Sequence, residues 1–209
     1  MPTYLSLSFQ YSKKKISAHT VRAFCDTLLR CGVAFVGGYW TSEGDSYDEI
    51  VSWNQQKLEQ NFELGDAEHV SHGYKQMLLQ YMEFSEVRLF IHNERKQAYF
   101  SFELIFPEND LLIPDPVHEW ALRMNQLVKI ENLAVQLWEN ETMDCIQAGW
   151  ELAETPVSYT DIAAGDIPLI EPFCVVPKSV VRRRWHVQYR EVGRDGVYIR
   201  DVERFHTVE

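Results

Sequence analysis

The largest concentration of potential metal ligands in this sequence lies between two glycines, Gly65 and Gly73. The segment contains Glu68, His69 and His72, so two imidazoles and a carboxylate are close together along the chain. A metal site needs three or four ligands converging at about 2.0–2.3 Å, and zinc enzymes hold paired histidines on a helix. The flanking glycines favour a loop instead. The sequence therefore predicts a polar loop with solvent-facing histidines, and we assign no metal-binding residue.

The sequence contains no nucleophile or phosphate-binding motif of a known enzyme class. No G-x-S-x-G elbow is present. The Gly37-Gly38 pair lacks the Lys-Ser/Thr and the third glycine of a phosphate-binding loop. Free buried thiols are favoured for the four cysteines, which have no C-x-x-C spacing and occur at Cys25, Cys31, Cys145 and Cys174. We assign no catalytic residue and no cofactor.

One carboxylate is singled out by its surroundings. Glu103 lies in a segment rich in aromatic residues, 97–106, in which one set of alternating side chains is almost purely apolar. If this carboxylate is buried, desolvation raises its pKa, which is a mark sometimes found at active sites. We predict instead an edge position, with the Glu103 side chain in water.

Aromatic and acidic side chains are mixed in the segment 39–49. Aromatic residues in a polar loop are typical anchors of a protein interface. The acids also precede or begin a predicted helix, where they stabilise the helix without any partner. Both interpretations remain open for the candidate partner-binding residues, which are Tyr39, Trp40, Glu43, Asp45, Tyr47 and Asp48.

The only run of consecutive arginines lies at 182–184. If 182–190 is a strand, alternate side chains share one face, and this face could hold an anion or a nucleic-acid backbone. The alternative is a solvated hairpin face that pairs with the acidic body or guards a sheet edge. The candidate anion-binding residues are Arg182, Arg184, His186 and Arg190.

Hydrophobic periodicity predicts the elements that must position these groups. Helices are predicted over 17–32, from a capping box at Ser46 and Glu49 onward, and over 116–139 after Asp115-Pro116. Strands are predicted over 3–11, 33–40, 74–83, 87–92, 97–106 and 144–152. The segment 154–177 is predicted to be a connector, and 182–190 with 197–200 to be a hairpin.

These elements predict an α+β fold, with one mixed or mainly antiparallel sheet, about three helices and a C-terminal β-hairpin. The predicted domain organisation is an α+β core domain over 1–177 and a basic β-hairpin over 178–209 that belongs to the same domain. No internal repeat or low-complexity tract is present.

The charge of the chain is uneven. The net charge is −11, and residues 178–209 hold 8 Lys+Arg against 5 Asp+Glu while residues 1–177 hold 12 against 26. This balance opposes nucleic-acid binding, which needs clustered cations, and favours steering toward a basic protein. The N-terminus has no signal-peptide pattern and no stretch is apolar enough to span a membrane, so we predict a cytoplasmic protein.

Three functional hypotheses follow. The first is a non-catalytic cytoplasmic binding protein with an acidic surface for a basic protein partner, such as an immunity or inhibitor protein that binds a toxin. The second is a small-molecule-binding domain or an enzyme, with a pocket between the sheet and the long helix. That pocket would be lined by Trp120, Trp138, Phe100 and Phe102. The third is a homodimer that forms through a free sheet edge.

Overall fold

The computed structural model of the chain describes residues 4–64, 75–150, 155–203 and 205–209. The described residues form an α+β fold with a nine-stranded sheet, a three-stranded sheet and five α-helices. The fold class agrees with the sequence-based prediction, although two short helices add to the three that were expected. Within the described residues, no helix combines the length and the apolar character needed to cross a membrane.

The helices are α1 (Thr20–Arg30), α2 (Tyr47–Glu59), α3 (Glu108–Leu111), α4 (Met124–Asn140) and α5 (Tyr159–Ala164). The strands are β1 (Tyr4–Ser12), β2 (Ala34–Tyr39), β3 (Gln76–Gln80), β4 (Val87–His92), β5 (Tyr99–Pro107), β6 (Leu112–Asp115), β7 (Glu119–Arg123), β8 (Cys145–Trp150), β9 (Phe173–Pro177), β10 (Tyr189–Val192), β11 (Gly196–Arg200) and β12 (His206–Val208).

The large sheet has the strand order β10-β11-β9-β8-β1-β5-β4-β3-β2, and every neighbouring pair in it is antiparallel. The N-terminal strand β1 is therefore central, between β5 and β8. The hairpin of β10 and β11 continues this sheet beside β9. The smaller sheet has the order β12-β7-β6, and β12 runs parallel to β7.

The two faces of the central strands differ because strand side chains alternate. On the first face, Phe9 and Phe102 pack against Phe24 of α1, whose ring stacks on that of Phe102 at a centroid distance of 4.0 Å. Burial of these rings fixes the register of β1 against β5, since a slip of one residue would turn them to the opposite face. The second face carries Ser8 and Glu103, which are paired across the same two strands.

The predicted capping box at the start of α2 is confirmed. The Ser46 side chain accepts a hydrogen bond from the Glu49 amide, and the Glu49 carboxylate accepts one from the Ser46 amide at 2.8 Å. These two bonds satisfy amides that have no partner within the helix.

The predicted helix over 116–139 is wrong at its start. Residues 112–123 instead form the β6–β7 hairpin, and α4 begins only at Met124. The Asp115 carboxylate accepts hydrogen bonds from the amides of Val117 and His118 at 2.8 and 2.7 Å. The same Asp-Pro signal that opens helices thus closes a turn here, because an aspartate can bond to amides two and three residues ahead in either setting.

The C-terminal predictions are correct only in part. The hairpin exists, and its turn places Arg194 and Asp195 in the left-handed region at φ values of 56° and 51°, as tight hairpin turns require. The strand predicted over 182–188 is wrong, because Arg183–Trp185 form a single 3₁₀ turn followed by left-handed backbone at His186. The predicted connector over 154–177 contains α5 and β9.

Candidate functional site

A pocket of about 320 Å³ lies on the second face of the large sheet, opposite α1. Its floor is built by β1, β5 and β4, and the residues Thr155 and Pro156 form part of its rim. Pockets of this size are at the lower end of the range that holds small ligands or single side chains.

Glu103 lies at the floor of this pocket, and three serine hydroxyls surround its carboxylate. Ser8 and Ser101 donate to Oε1 at 2.8 and 2.5 Å, and Ser6 donates to Oε2 at 2.9 Å. Ser8 is the direct cross-strand partner of Glu103 on β1. Two strands that are about 95 residues apart in sequence therefore deliver all four side chains to one place.

The electrostatics of Glu103 are set by burial. Desolvation raises the pKa of the Glu103 carboxyl, while the serine hydrogen bonds and the nearby His92 act in the opposite direction without cancelling the rise. The predicted edge position in water is therefore wrong. Glu103 belongs to β5, which has β1 on one side and β4 on the other, and the residue is 8% exposed.

The rim of the pocket is partly polar, and hydrogen bonds attach part of it to the large sheet. His92 lies 3.7 Å from the Glu94 carboxylate, and burial raises the pKa of Tyr99. The side-chain amides of Gln10 and Gln147 donate to the carbonyl of Val157 at 3.0 and 2.7 Å. These bonds fasten the segment that follows Thr155 and Pro156, so this part of the rim is held in place by the sheet itself.

The Glu103 carboxyl group and the three serine hydroxyls present hydrogen-bond acceptors to a ligand in the pocket. Each serine hydroxyl carries one proton, and each of these protons is donated to Glu103. The carboxyl and hydroxyl oxygens therefore present lone pairs, and ionisation of Glu103 adds a negative charge. Such a site favours a cationic group with several N–H donors. Among the described residues, no group of three His, Cys, Asp or Glu side chains could hold a metal ion.

The candidate partner-binding segment is more engaged within the protein than its sequence indicates. Asp45 forms an ion pair with Lys75 at 2.6 Å, and Asp48 forms one with Arg22 at 2.7 Å. Tyr47 donates a hydrogen bond from its hydroxyl to Asp26 at 2.6 Å.

Three further residues of this segment differ in their exposure. The ring of Tyr39 lies against the Arg88 guanidinium at 4.8 Å, whereas Glu43 is exposed. Trp40 is 60% exposed, so it presents a large apolar surface to solvent. Its backbone is in the left-handed region, at a φ value of 58°. Partner binding by the six residues remains a prediction.

The candidate anion-binding residues contact different parts of the protein. Arg182 donates to the carbonyl of Ala163 at 3.0 Å, and Arg184 donates to that of Gly165, so both bind the C-terminal end of α5. The Arg190 guanidinium lies over the Tyr198 ring at 4.8 Å. His186 caps the 3₁₀ turn. Because the strand is absent, its common face is absent too, and anion binding remains a prediction.

Two other sequence-based candidates are also located. The segment with Glu68, His69 and His72 lies outside the described residues. Of the four residues proposed to line a pocket against the long helix, Phe100, Phe102 and Trp138 are buried in the main core, and Trp120 is half exposed on β7. The described pocket lies on the opposite face of the sheet.

The serines around Glu103 and His92 were not identified as site residues from the sequence. The available signal was the alternation in β1, where Ser6, Ser8 and Gln10 are polar but uncharged between fully apolar neighbours. Such alternation predicts one apolar and one polar face of the strand. It contains no signal that the polar face lies in a pocket.

Comparisons with known proteins give little further information. No family model matches this chain, and no curated protein matches it. Among solved structures, a T6SS protein from Pseudomonas aeruginosa aligns with a TM-score of 0.41 and 12% sequence identity. The alignment covers 95% of this chain, which spans only 65% of the length of that protein. A likeness of this size supports no conclusion about function.

Proposed function

We propose that this protein is a non-catalytic cytoplasmic binding protein whose acidic surface recognises a basic protein partner. The Glu103 pocket receives a cationic side chain of that partner. An immunity or inhibitor protein that neutralises a basic toxin would have these properties.

The observation that carries this proposal is a contrast between the two buried glutamates of the described chain, Glu103 and Glu131. Glu131 is neutralised by Arg200, which donates to both of its carboxylate oxygens. Within the described part of the chain, Glu103 has no lysine or arginine in hydrogen-bond or ion-pair contact. Buried charges are normally paired, since desolvation of an isolated charge is costly. An incoming cation would supply the missing partner.

The charge of the whole molecule supports the same direction of recognition. A net charge of −11 attracts cationic proteins at long range and raises their association rate. The pocket then adds a short-range element, because a carboxylate in a partly desolvated cavity interacts more strongly with a cation than one in open water.

Affinity capture from the native host tests the proposal, with wild type, E103Q and E139Q as parallel baits. E139Q is a matched control because it also removes one negative charge, at an exposed glutamate of α4 that belongs neither to the pocket nor to the candidate partner-binding residues. We expect wild type and E139Q to retain one basic protein at a stoichiometric ratio, and E103Q to lose it. Absence of a basic protein from the wild-type bait would refute the proposed function. Equal retention by E103Q would exclude the pocket as the recognition site.

A second candidate is a small-molecule-binding or enzymatic function of the same pocket. It is favoured by the volume of about 320 Å³ and by the convergence of polar groups on a carboxyl group whose pKa is raised. A thermal-shift screen against cationic metabolites addresses it. A rise in melting temperature that E103Q abolishes would support this candidate, and no rise with any metabolite would exclude it.

A further inference from the structure

We infer that the Glu103 pocket selects an ammonium group, supplied by a lysine side chain of the partner, over a guanidinium group. The inference rests on the proposed function and narrows the partner to a protein that presents a protruding lysine.

The first step concerns the serine protons. Ser6, Ser8 and Ser101 each use their single hydroxyl proton on the carboxylate of Glu103. What remains on each hydroxyl oxygen is a pair of acceptor positions. The immediate surroundings of the carboxylate are therefore rich in acceptors, and a ligand that itself needs to accept hydrogen bonds finds no donor on these three serines.

The second step counts the acceptor positions on Glu103 itself. An ionised carboxylate has about two lone-pair positions on each oxygen. Oε1 accepts from both Ser8 and Ser101, so both of its positions are occupied. Among the described residues only Ser6 donates a hydrogen bond to Oε2, so one position remains there. The free acceptor capacity of this carboxylate is thus on one oxygen only.

The third step compares the two side chains that are cationic at neutral pH without any shift in pKa, lysine and arginine. Arginine gains its advantage over lysine by binding both carboxylate oxygens at once through two parallel N–H groups. That geometry needs a free position on Oε1, which the serines have filled. An ammonium is a compact charge with three donors and no acceptor. It can place one proton on Oε2 and direct the others to serine oxygens.

The walls of the pocket suit the rest of a lysine side chain. Phe90 and Ile105 line the cavity together with the ring of Tyr99. The aliphatic stem of a lysine packs well on such apolar surface while its charged end seeks polar partners.

The test uses small probes and does not require the natural partner. Nα-acetyl-lysine N-methylamide, its arginine counterpart and the Nε-acetylated lysine derivative are titrated into ¹⁵N-labelled protein, and amide shifts of β1 and β5 are followed by NMR. We expect the lysine probe to bind about tenfold more tightly than the arginine probe, because the latter cannot form its second charge-assisted bond. The acetylated probe should not bind. E103Q should weaken binding of the lysine probe about tenfold or more, and E139Q should not.

The variant S8A makes the lone-pair argument specific. It removes one of the two hydrogen bonds that Oε1 accepts and leaves one free position on each carboxylate oxygen. The affinity of the arginine probe should therefore rise relative to that of the lysine probe. An unchanged ratio in S8A, or tighter binding of arginine by wild type, would overturn the inference. Capture of a basic partner that E103Q loses, combined with no lysine preference, would refute only the inference. Failure of both experiments would refute the proposed function as well.

Discussion

The substitution E103Q should change how the stability of the fold depends on pH. Burial raises the pKa of Glu103 in the folded protein above its value in the unfolded chain, which is about 4.3 for a free glutamate. Between these two values the folded state holds more protons than the unfolded state. The free energy of unfolding of wild type therefore falls as pH rises through this window, at most by about 1.4 kcal/mol per pH unit for one group. The loss is absent below the unfolded pKa and complete above the folded pKa.

E103Q lacks this group, so the difference in unfolding free energy between variant and wild type isolates it. Denaturation by urea, followed by the fluorescence of the six tryptophans, gives the difference at each pH. We expect the free energy of unfolding of E103Q to rise relative to that of wild type as pH rises above about 4.5. This difference should level off once Glu103 is ionised in the folded state. His92 also lines the pocket, and its electrostatic interaction with Glu103 is part of the contribution that this difference measures.

The control is E139Q, which removes an exposed carboxylate of α4 and should show no such rise. A difference between E103Q and wild type that is flat over this range would mean that Glu103 is ionised as easily in the fold as in the unfolded chain. A difference that falls with rising pH would mean that the three serines lower the pKa of Glu103 by more than burial raises it. Either result would refute the electrostatic description of the pocket.

Two further predictions concern the scaffold. R200A should destabilise the fold by about 2–3 kcal/mol in urea unfolding, because it leaves Glu131 buried without a cation. This loss is smaller than that expected for a fully buried pair, since the Arg200 side chain is 37% exposed. A loss under about 0.5 kcal/mol, the size of an exposed pair, would show that the pair is not desolvated. G38A should destabilise the fold by about 1–3 kcal/mol, because the added Cβ would lie 1.8 Å from the backbone oxygen of Ser42, whereas G37A meets nothing within 4 Å. Equal stability of these two glycine variants would contradict the close approach of the backbone at Gly38.

The sequence predicted the elements wherever the local signal was sufficient. Strand β4 occupies the residues that alternation indicates, and the capping box places the start of α2. The prediction failed at Asp115-Pro116, because the same aspartate hydrogen bonds begin a helix or close a turn, and only the pairing of β6 with β7 decides between them. It failed at 182–188 because Arg182 and Arg184 bind carbonyls at the end of α5, a helix without a clear periodic pattern.

The site was harder to predict than the fold. Glu103 stood out in the sequence because of its aromatic neighbours, but whether it was buried depended on the position of β5 within the sheet. The convergence of Ser6 and Ser8 on it follows from the register of β1 against β5, which is set on the other face by Phe9 and Phe102. A contact between residues this far apart in sequence leaves no local pattern.

The two buried glutamates connect stability to function in this protein. Glu131 has a cation of its own, and the pair ties α4 to β11. Glu103 has three hydroxyls and no Lys or Arg partner among the described residues, although its strand is central and its neighbours are well packed. Hydroxyls hold a carboxylate in place but do not neutralise it, so ionisation of Glu103 in the fold costs free energy that a glutamine would avoid. With Glu103 ionised, the free protein should therefore be less stable than the protein with a cation bound in the pocket. Binding of a lysine should therefore stabilise the wild-type protein at neutral pH and should have no effect on the stability of E103Q.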